Sequence, residues 1–514
     1  LTANKTFGDF NTSLVLGNEI LDNKIANAST TGTGLVVKGF ENMSNATTIA
    51  STVTDTRTRL VGFFADAVVE YKSYLSLNLK ARMDKTSTLP LANNTFYYPA
   101  AALSFNLTEA FPSLKTDLVN AVKVRGNFGV VGRGPAAYNT DTYFNAANPG
   151  DGFGPNILMP YNGLMAYSLA NGAGNPNLKP EFTREWEIGT DIALWNNRVN
   201  LELNYYQRKL TDGLFPVPYS AASGITSLFL NAGELETKGL EVSLGVTPIR
   251  TKNFTWNVNA NFTKFKVMVT KLAPGVPLIF LAGFTTPNIR LVEGEEYNSI
   301  YGNKYTRDAQ GRMVLGANGL PIATNDVFKI GNPNPKWTAG ITNSFNIYGF
   351  TFDFLIDIRQ GGDMYSRNVA DLRRNGVVKE TAEFARFDKD GNPNKPYKYE
   401  GVDVNGNPVN VPLTAEQYWG NTGKYSAAEG FIVSTSWVRL REATISYSLP
   451  KKLLEKTPFG NVDFGLFGRN LFLKTDFPHL DPEQNVLGIS TAQGLEFNAQ
   501  PSTRTIGFNV RLTF

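Results

Sequence analysis

An antiparallel β-barrel that crosses a membrane with its strands is the fold class this sequence predicts, and three observations carry the prediction. Apolar residues recur at every second position over many segments. The connections between those segments alternate between short and long. Charged residues make up only 18% of the chain and aromatics 12%, against about 25% charged in ordinary soluble domains.

The alternation marks strands with one apolar and one polar face. In Phe254-Thr-Trp256-Asn-Val258-Asn-Ala260-Asn-Phe262, every second residue is apolar and its neighbours are Thr or Asn. Val199, Leu201, Leu203 and Tyr205 alternate with Asn200, Glu202 and Asn204, and Phe350, Phe352, Phe354, Ile356 and Ile358 alternate with residues that include Asp353, Asp357 and Arg359. Around Trp437–Tyr447 the apolar parity shifts, which predicts a β-bulge. Such runs give about fourteen strands, near 5–20, 57–70, 73–84, 97–107, 120–131, 181–194, 198–212, 235–248, 254–270, 336–347, 350–360, 433–448, 461–473 and 503–514. Each can hold the roughly 9–11 residues that a tilted membrane strand needs.

Short connections such as Tyr71-Lys72-Ser73, Trp195–Arg198 and Tyr348-Gly349 alternate with long ones near 21–56, 85–96, 132–180, 213–234, 271–335, 361–432 and 474–502. That sorting predicts a barrel with tight periplasmic turns and long extracellular loops. A soluble sandwich also alternates but need not sort its loops by length, and a propeller would repeat every 40–50 residues or so; no such repeat is present. No stretch suits a membrane helix. The best apolar run, Val276 to Phe284, is broken by Pro277 and falls far short of the roughly 18 residues required.

Composition removes most chemistry. Without a single Cys and with one His, His479, disulfide scaffolds, thiol catalysis and His-cluster metal sites are excluded. A net charge of +4 is too small and too dispersed to argue for nucleic acid. Gly420-Asn-Thr-Gly-Lys424 lacks the P-loop spacing, and Gly488-Ile-Ser490-Thr-Ala492 is not a nucleophile elbow. No catalytic residue, cofactor or metal ligand is assigned. Asp388-Lys-Asp390-Gly-Asn392 resembles a calcium loop but has Gly in the wrong place and no acidic residue at its twelfth position. The chain opens Leu1-Thr2-Ala3-Asn4-Lys5, without Met or an apolar leader, and reads as part of something longer.

Several strings resemble the SusC/RagA family of TonB-dependent outer-membrane transporters. They are Asn175-Pro-Asn-Leu-Lys-Pro-Glu181 with Trp186-Glu-Ile-Gly189, Asn231-Ala-Gly-Glu234, Ile330-Gly-Asn-Pro-Asn-Pro-Lys-Trp337, and Gly468-Arg-Asn-Leu-Phe-Leu473 leading to Asp481-Pro-Glu483. The terminal strand, closing on Phe514, resembles the assembly signal of bacterial outer-membrane proteins and would put the short turns in the periplasm. The resemblance implies a 22-stranded barrel around an N-terminal plug. Residues 1–514 would then be the C-terminal portion of the single barrel domain, with eight strands and the plug outside this chain. It also implies outer-membrane lipid around the barrel, a SusD-like surface lipoprotein as lid, TonB acting through the part not present, and a polar solute, oligosaccharide or peptide, as cargo. A siderophore receptor, a passive porin, and a structural component or client of a larger outer-membrane complex are the alternatives.

Two groups of residues are candidates for solute contact. Asp353, Asp357 and Arg359 share one face of their strand, Asp363 follows the Gly361-Gly362 pair, and Arg439 and Arg441 form a second inward pair. These would contact the plug or steer a polar solute, or else form an ordinary solvated wall. Tyr397, Tyr399, Tyr418 and Trp419, with Phe384, Phe387, Tyr138, Tyr143, Phe144 and Tyr161, are loop aromatics suited to solute capture or a lid interface. Ordinary loop packing is the commonest explanation for such residues.

Overall fold

Fifteen strands follow one another in chain order through one antiparallel sheet. The computed structural model describes residues 1–150, 156–157, 159–382, 396–486 and 493–514. The strands are β1 Thr2–Phe7, β2 Phe10–Leu35, β3 Ala46–Tyr71, β4 Leu75–Thr86, β5 Thr95–Asn106, β6 Val119–Arg133, β7 Glu181–Leu194 and β8 Val199–Pro218. They continue as β9 Ser227–Arg250, β10 Phe254–Leu272, β11 Trp337–Ile347, β12 Phe350–Gln360, β13 Trp437–Ser448, β14 Asn461–Thr475 and β15 Thr505–Thr513. The short segment Gly172–Ala173 adds a parallel bridge to β9. Thirteen of the expected strands lie on β3 to β15, each displaced by a few residues or extended.

The first expected strand, 5–20, is instead a hairpin. Gly8, at φ 57°, and Asp9 form a two-residue turn between β1 and β2, the kind in which a left-handed first residue suits the strand twist. The expected loop 21–56 is mostly strand, because β2 and β3 run on to a turn at 36–45. Asn23 to Thr33 are mostly polar, with Ile25 the one large apolar side chain, and almost all are exposed on both faces, so no apolar rhythm announces them. Thr and Ser hold the extension through β propensity, helped by Arg57–Asp22 at 2.6 Å and Lys24–Asp55 at 3.3 Å.

The two faces of the sheet differ in kind. Leu466 lies between Ile445 and Phe508 in register, and all three project from the same face. Phe508 is 77% exposed and Leu466 59%. Phe63, Leu79, Leu103, Phe128, Ile188, Leu240, Phe350 and Phe352 extend this exposed apolar face across the sheet. In water such an area would far exceed the few hundred Å² that soluble proteins tolerate; facing lipid it is what the strands require. The opposite face carries Asn257, Ser344, Asp353 and Thr444, aligned across four strands.

The longest connections gather at one rim. That rim carries 134–180, 273–336, 361–436 and 476–504, together with 36–45, 87–94 and 219–226, which are shorter than 107–118 and 449–460 at the other. The other rim carries 8–9, 72–74, 107–118, 195–198, 251–253, 348–349 and 449–460. Aromatic rings line the short-turn rim. Phe10, Tyr71, Tyr74, Phe105 and Phe111 form a row with successive centroids 4.7, 5.4, 6.0 and 6.3 Å apart, and Phe459 meets Phe514 at 5.1 Å. Girdles of this kind mark membrane interfaces.

At the other rim, three long loops share one core. Ile289 and Ile300 come from the 273–336 loop; Tyr365, Ala370, Leu413, Tyr425 and Phe431 from 361–436; Leu495 from 476–504. Glu496, with no exposed surface, accepts from Ser366 Oγ at 2.8 Å and from the Asn368 amide at 3.0 Å, at the start of the helix Arg367–Arg374. The last loop is thus pinned to the one before it.

The two faces give opposite expectations for one substitution. Leu466→Arg should cost about 2–4 kcal/mol, the range for a cation at mid-bilayer on a barrel wall, whereas Ser344→Arg on the polar face should cost under about 1 kcal/mol. Denaturant unfolding of the membrane-embedded protein measures both.

Candidate functional site

The charged residues singled out in the sequence meet on the polar face where β12 and β13 approach the long-loop rim. Asp357 lies opposite Arg439 and Arg359 opposite Trp437 in the ladder. At Arg441 the register shifts against both neighbouring strands, so the expected bulge is present and its extra residue is an arginine.

Arg439 Nη2 and Nη1 donate to the two carboxylate oxygens of Asp481 at 2.5 and 3.1 Å. Arg441 makes a second fork onto Glu483, at 2.7 and 2.8 Å, and also pairs with Asp357. Trp437 Nε1 donates to Asp357 at 3.2 Å. The guanidinium groups of Arg359 and Arg439 lie 5.3 and 5.7 Å from the Trp437 ring, within cation–π range. Arg359 Nη2 donates to the Pro333 carbonyl at 2.5 Å. Gly362, at φ 97°, passes so close that a Cβ there would sit 2.8 Å from Arg359 Nη2 and 3.0 Å from the Pro333 oxygen, so the wall requires glycine.

The family-like strings are therefore the parts that clamp this site. Asp481 and Glu483 take the two arginines. Asn332 exchanges bonds with Asp363, its carbonyl accepting at 2.7 Å and its amide donating at 2.9 Å. Asn470 donates to the Thr503 carbonyl at 3.0 Å. On the far side of the sheet, Asn231 binds both the amide and the carbonyl of Lys179, at 3.0 and 2.9 Å, tying the string at 175–181 to the one at 231–234.

Arg439 departs from the expectation of a solvated wall. It is 1% exposed and Asp481 5%, so the pair is closed under the last loop. Asp353 is placed differently: half-buried on the polar face, it has no hydrogen-bond or ion-pair partner among the described residues. Sequence reading placed Asp357 in the network but missed Asp481 and Glu483 as site residues, because they lie about forty residues beyond their partners. The signal was the Asp-Pro-Glu string itself.

The aromatic quartet is likewise not an open surface. Tyr397 and Tyr399 each stack on Tyr418 at 4.5 Å, and Trp419 meets Tyr418 edge-on at 5.0 Å. Trp419 is 8% and Tyr397 9% exposed. Exposed rings are found elsewhere, at Tyr138, Tyr143, Phe144 and Tyr161. Phe384, Phe387, Asp388–Asn392 and Gly488–Ala492 lie outside the described residues. His479 pairs with Glu380 at 2.9 Å, joining two loops.

A family model, "TonB dependent receptor-like, beta-barrel", matches residues 2–471. The chain belongs to that family. The sheet is accordingly wall of an outer-membrane β-barrel of the TonB-dependent type, its polar face turned to the lumen. TonB-dependent receptor P3 of Formosa agariphila is 28% identical over all of this chain and 52% of its own length. TonB-dependent receptor SusC of Bacteroides thetaiotaomicron is 23% identical over 89% of this chain and 44% of its own. The chain spans about half the length of the curated relatives it matches. Among solved structures, the RagAB peptide importer in its closed-closed state superposes with a TM-score of 0.77, at 18% identity, over 100% of this chain and 55% of that one. The likeness establishes the SusC/RagA type of fold.

The site's electrostatics set a pH expectation. Burial by itself would raise the Asp481 carboxyl pKa. Hydrogen bonds from Arg439, the Ser502 hydroxyl and the Glu483 amide outweigh burial and hold it below the usual carboxylate range. Because the folded value is the lower one, the stabilisation is complete above the unfolded pKa of about 4 and is lost as pH falls through the folded value. Hydrogen-exchange protection of residues 476–486, measured against the intrinsic rate at each pH, should therefore fall on acidification below about pH 4. At neutral pH, Arg439→Leu alone should destabilise by about 3–5 kcal/mol by stranding Asp481, and the double change with Asp481→Asn by less.

Proposed function

We infer that this chain is the C-terminal portion of the barrel of a SusC-like importer, which moves a polar nutrient, an oligosaccharide or peptide, across the outer membrane. The observation that carries the reading is the pairing of a polar lumen wall with a folded body of loops at one rim only. The two sheet edges support the domain assignment: β1 pairs only with β2, and β15 only with β14. In lipid each unpaired backbone group costs several kcal/mol, so the edges call for further strands. Fifteen from this chain and seven from elsewhere make the 22 of the family's barrel.

The long-loop rim faces outward and the short turns, with Phe514, face the periplasm. Tyr138, Tyr143, Phe144 and Tyr161 are the exposed rings available to a solute or to a SusD-like lipoprotein closing over the mouth. Asp353 meets the solute within the lumen. Asp357, Arg359, Asp363, Arg439 and Arg441 position the loops that form the mouth. Energy from TonB enters through the part of the transporter outside this chain, and Phe514 serves barrel assembly. None of these steps is catalytic.

The chain has no cysteine, so a single cysteine introduced into it is its only thiol, and the unsubstituted protein serves as the labelling control. Tyr161→Cys should be labelled in intact cells by a membrane-impermeant maleimide, and Tyr348→Cys, 74% exposed at the opposite rim, only after lysis. The reverse pattern would overturn the orientation. Uptake of labelled oligosaccharide and peptide pools, in cells with and without the gene and with and without TonB, tests transport. Accumulation of one class should depend on both, and accumulation of either class unaffected by TonB would sink the importer.

A further inference from the structure

Three side-chain constellations of one design recur around the lumen wall, and the transport reading leaves them unused. Phe64 on β3 stands opposite Gly17 on β2, Tyr206 on β8 opposite Gly239 on β9, and Phe467 on β14 opposite Gly507 on β15. In each pair the end of the ring lies almost where a glycine Cβ would be, so the ring runs across the neighbouring strand instead of standing out from the wall. An arginine sits beside each ring. Arg82 is 5.9 Å from the centre of Phe64, Arg208 5.8 Å from Tyr206 and Arg469 5.6 Å from Phe467, within cation–π range. A carboxylate holds each arginine in turn, Glu19 at 2.9 Å, Glu185 at 2.5 Å and Glu442 at 3.3 Å.

All three rings belong to the polar face. Phe467 continues the row of Asn257, Ser344, Asp353 and Thr444, while Phe64 and Tyr206 alternate with the exposed, lipid-facing Phe63 and Tyr205. They also share one level. Phe64, Tyr206 and Phe467 lie seven, seven and six residues from the short-turn ends of their strands, at Tyr71, Val199 and Asn461. The stations are five and six strands apart, about a quarter of the circumference each in the 22-stranded barrel proposed above. A ring over a glycine also steadies a sheet, but that service asks for no common level and no arginine.

We propose that Gly17, Gly239 and Gly507 set the clearance of the import path at this level, and with it the largest solute that passes. Glycine in a strand marks a place where another group must approach the backbone closely. With the rings laid along the wall and the arginines tied beside them, bulky side chains at this level take little of the bore. A larger residue at any of the three positions would turn a ring, and the arginine resting on it, towards the axis. The glycines are specificity-determining residues that act through the rings, limiting by size a solute the mouth has already accepted. The inference rests on the importer reading above.

Uptake of two length-graded ladders, one of neutral oligosaccharides and one of peptides, tests it in cells carrying the full transporter at matched outer-membrane levels. G17A/G239A/G507A should lose the longest members that the unmodified transporter accumulates and keep the shortest. G129A should change nothing, because a Cβ at that lumen glycine would meet nothing nearer than Ala100 Cβ at 3.8 Å. Shortening the rings in F64L/Y206L/F467L should abolish the effect, so that the three alanines no longer lower the length limit in that background. An unchanged length limit in the glycine variant would overturn the proposal. So would a loss equal at every length, which marks a fault in opening, or a loss that persists without the rings, which marks a fault in the strands. Should the triple variant fail to reach the outer membrane, G239A alone gives the same comparison. If the unmodified transporter accumulates neither ladder, the importer reading itself falls; accumulation with an unchanged limit removes only the role of the glycines.

Discussion

Backbone polarity in a solvent that cannot hydrogen-bond is the constraint on which this molecule depends. Lipid leaves a strand no partner for its N–H and C=O groups except another strand, and the cheapest such partner is the next segment of chain, reached by a tight turn. Fifteen strands pairing strictly in sequence order follow from that economy. The same constraint fixes register. Because side chains alternate with period two, a slip of one residue would turn every apolar group to the lumen. Register shifts at Ala193/Leu194 and Val246/Ile249 fall near strand ends, whereas those at Leu210/Gly213 and Gly213/Leu214 lie inside β8 towards the long-loop rim. The one at Arg441 re-aims a charged side chain.

The long-loop rim answers to the opposite solvent. There the loops are bathed in water, and their apolar residues turn inward: Ile289, Ile300, Leu413 and Leu495 are almost completely covered. A single chain thus holds two inverted organisations, a wall that shows its apolar residues and a loop body that hides them. Charge-assisted bonds stitch the two together, with Arg439 and Arg441 in the wall and Asp481 and Glu483 in the loop. Loops anchored at such points, and stiffened by short strands and the helix Arg367–Arg374, hold a defined mouth.

What was legible in the sequence follows from these two regimes. The wall was legible because lipid on one face and water on the other impose a period of two, and Phe254–Phe262 or Phe350–Ile358 show it plainly. The β2–β3 extension was illegible because water lies on both faces, so Asn23–Thr33 carry no alternation, and the Gly8-Asp9 turn went unnoticed between two apolar residues. The inward set Asp357, Arg359, Arg439 and Arg441 could be read from strand parity alone. Their burial could not, because it depends on a loop returning from forty residues away. The aromatic quartet illustrates the same limit: Tyr397 and Tyr418 are adjacent only once the loop has folded, and composition cannot distinguish a ring that stacks on its neighbours from one that waits for a solute.

The charge pattern of the lumen bears on how such a wall can select. Around β12 and β13, three guanidinium groups face three carboxylates, those of Asp357, Asp481 and Glu483. Across the sheet, Arg125 is ringed by Asp191 at 3.2 Å, Glu202 at 2.7 Å and Glu187 at 3.8 Å, and Arg82 is shared between Glu19 and Asp84, at 2.9 and 2.7 Å. Paired charges a few ångströms apart produce fields that fade within about a Debye length. A wall made of them offers hydrogen bonds along its length but little long-range steering for a solute of either sign. Discrimination then falls to the mouth, where the exposed rings of the 134–180 loop and the body built from 273–336, 361–436 and 476–504 present shaped surfaces. On the importer reading proposed above, Asp353, without an ion-pair partner among the described residues, is a lumen group left to engage a polar solute.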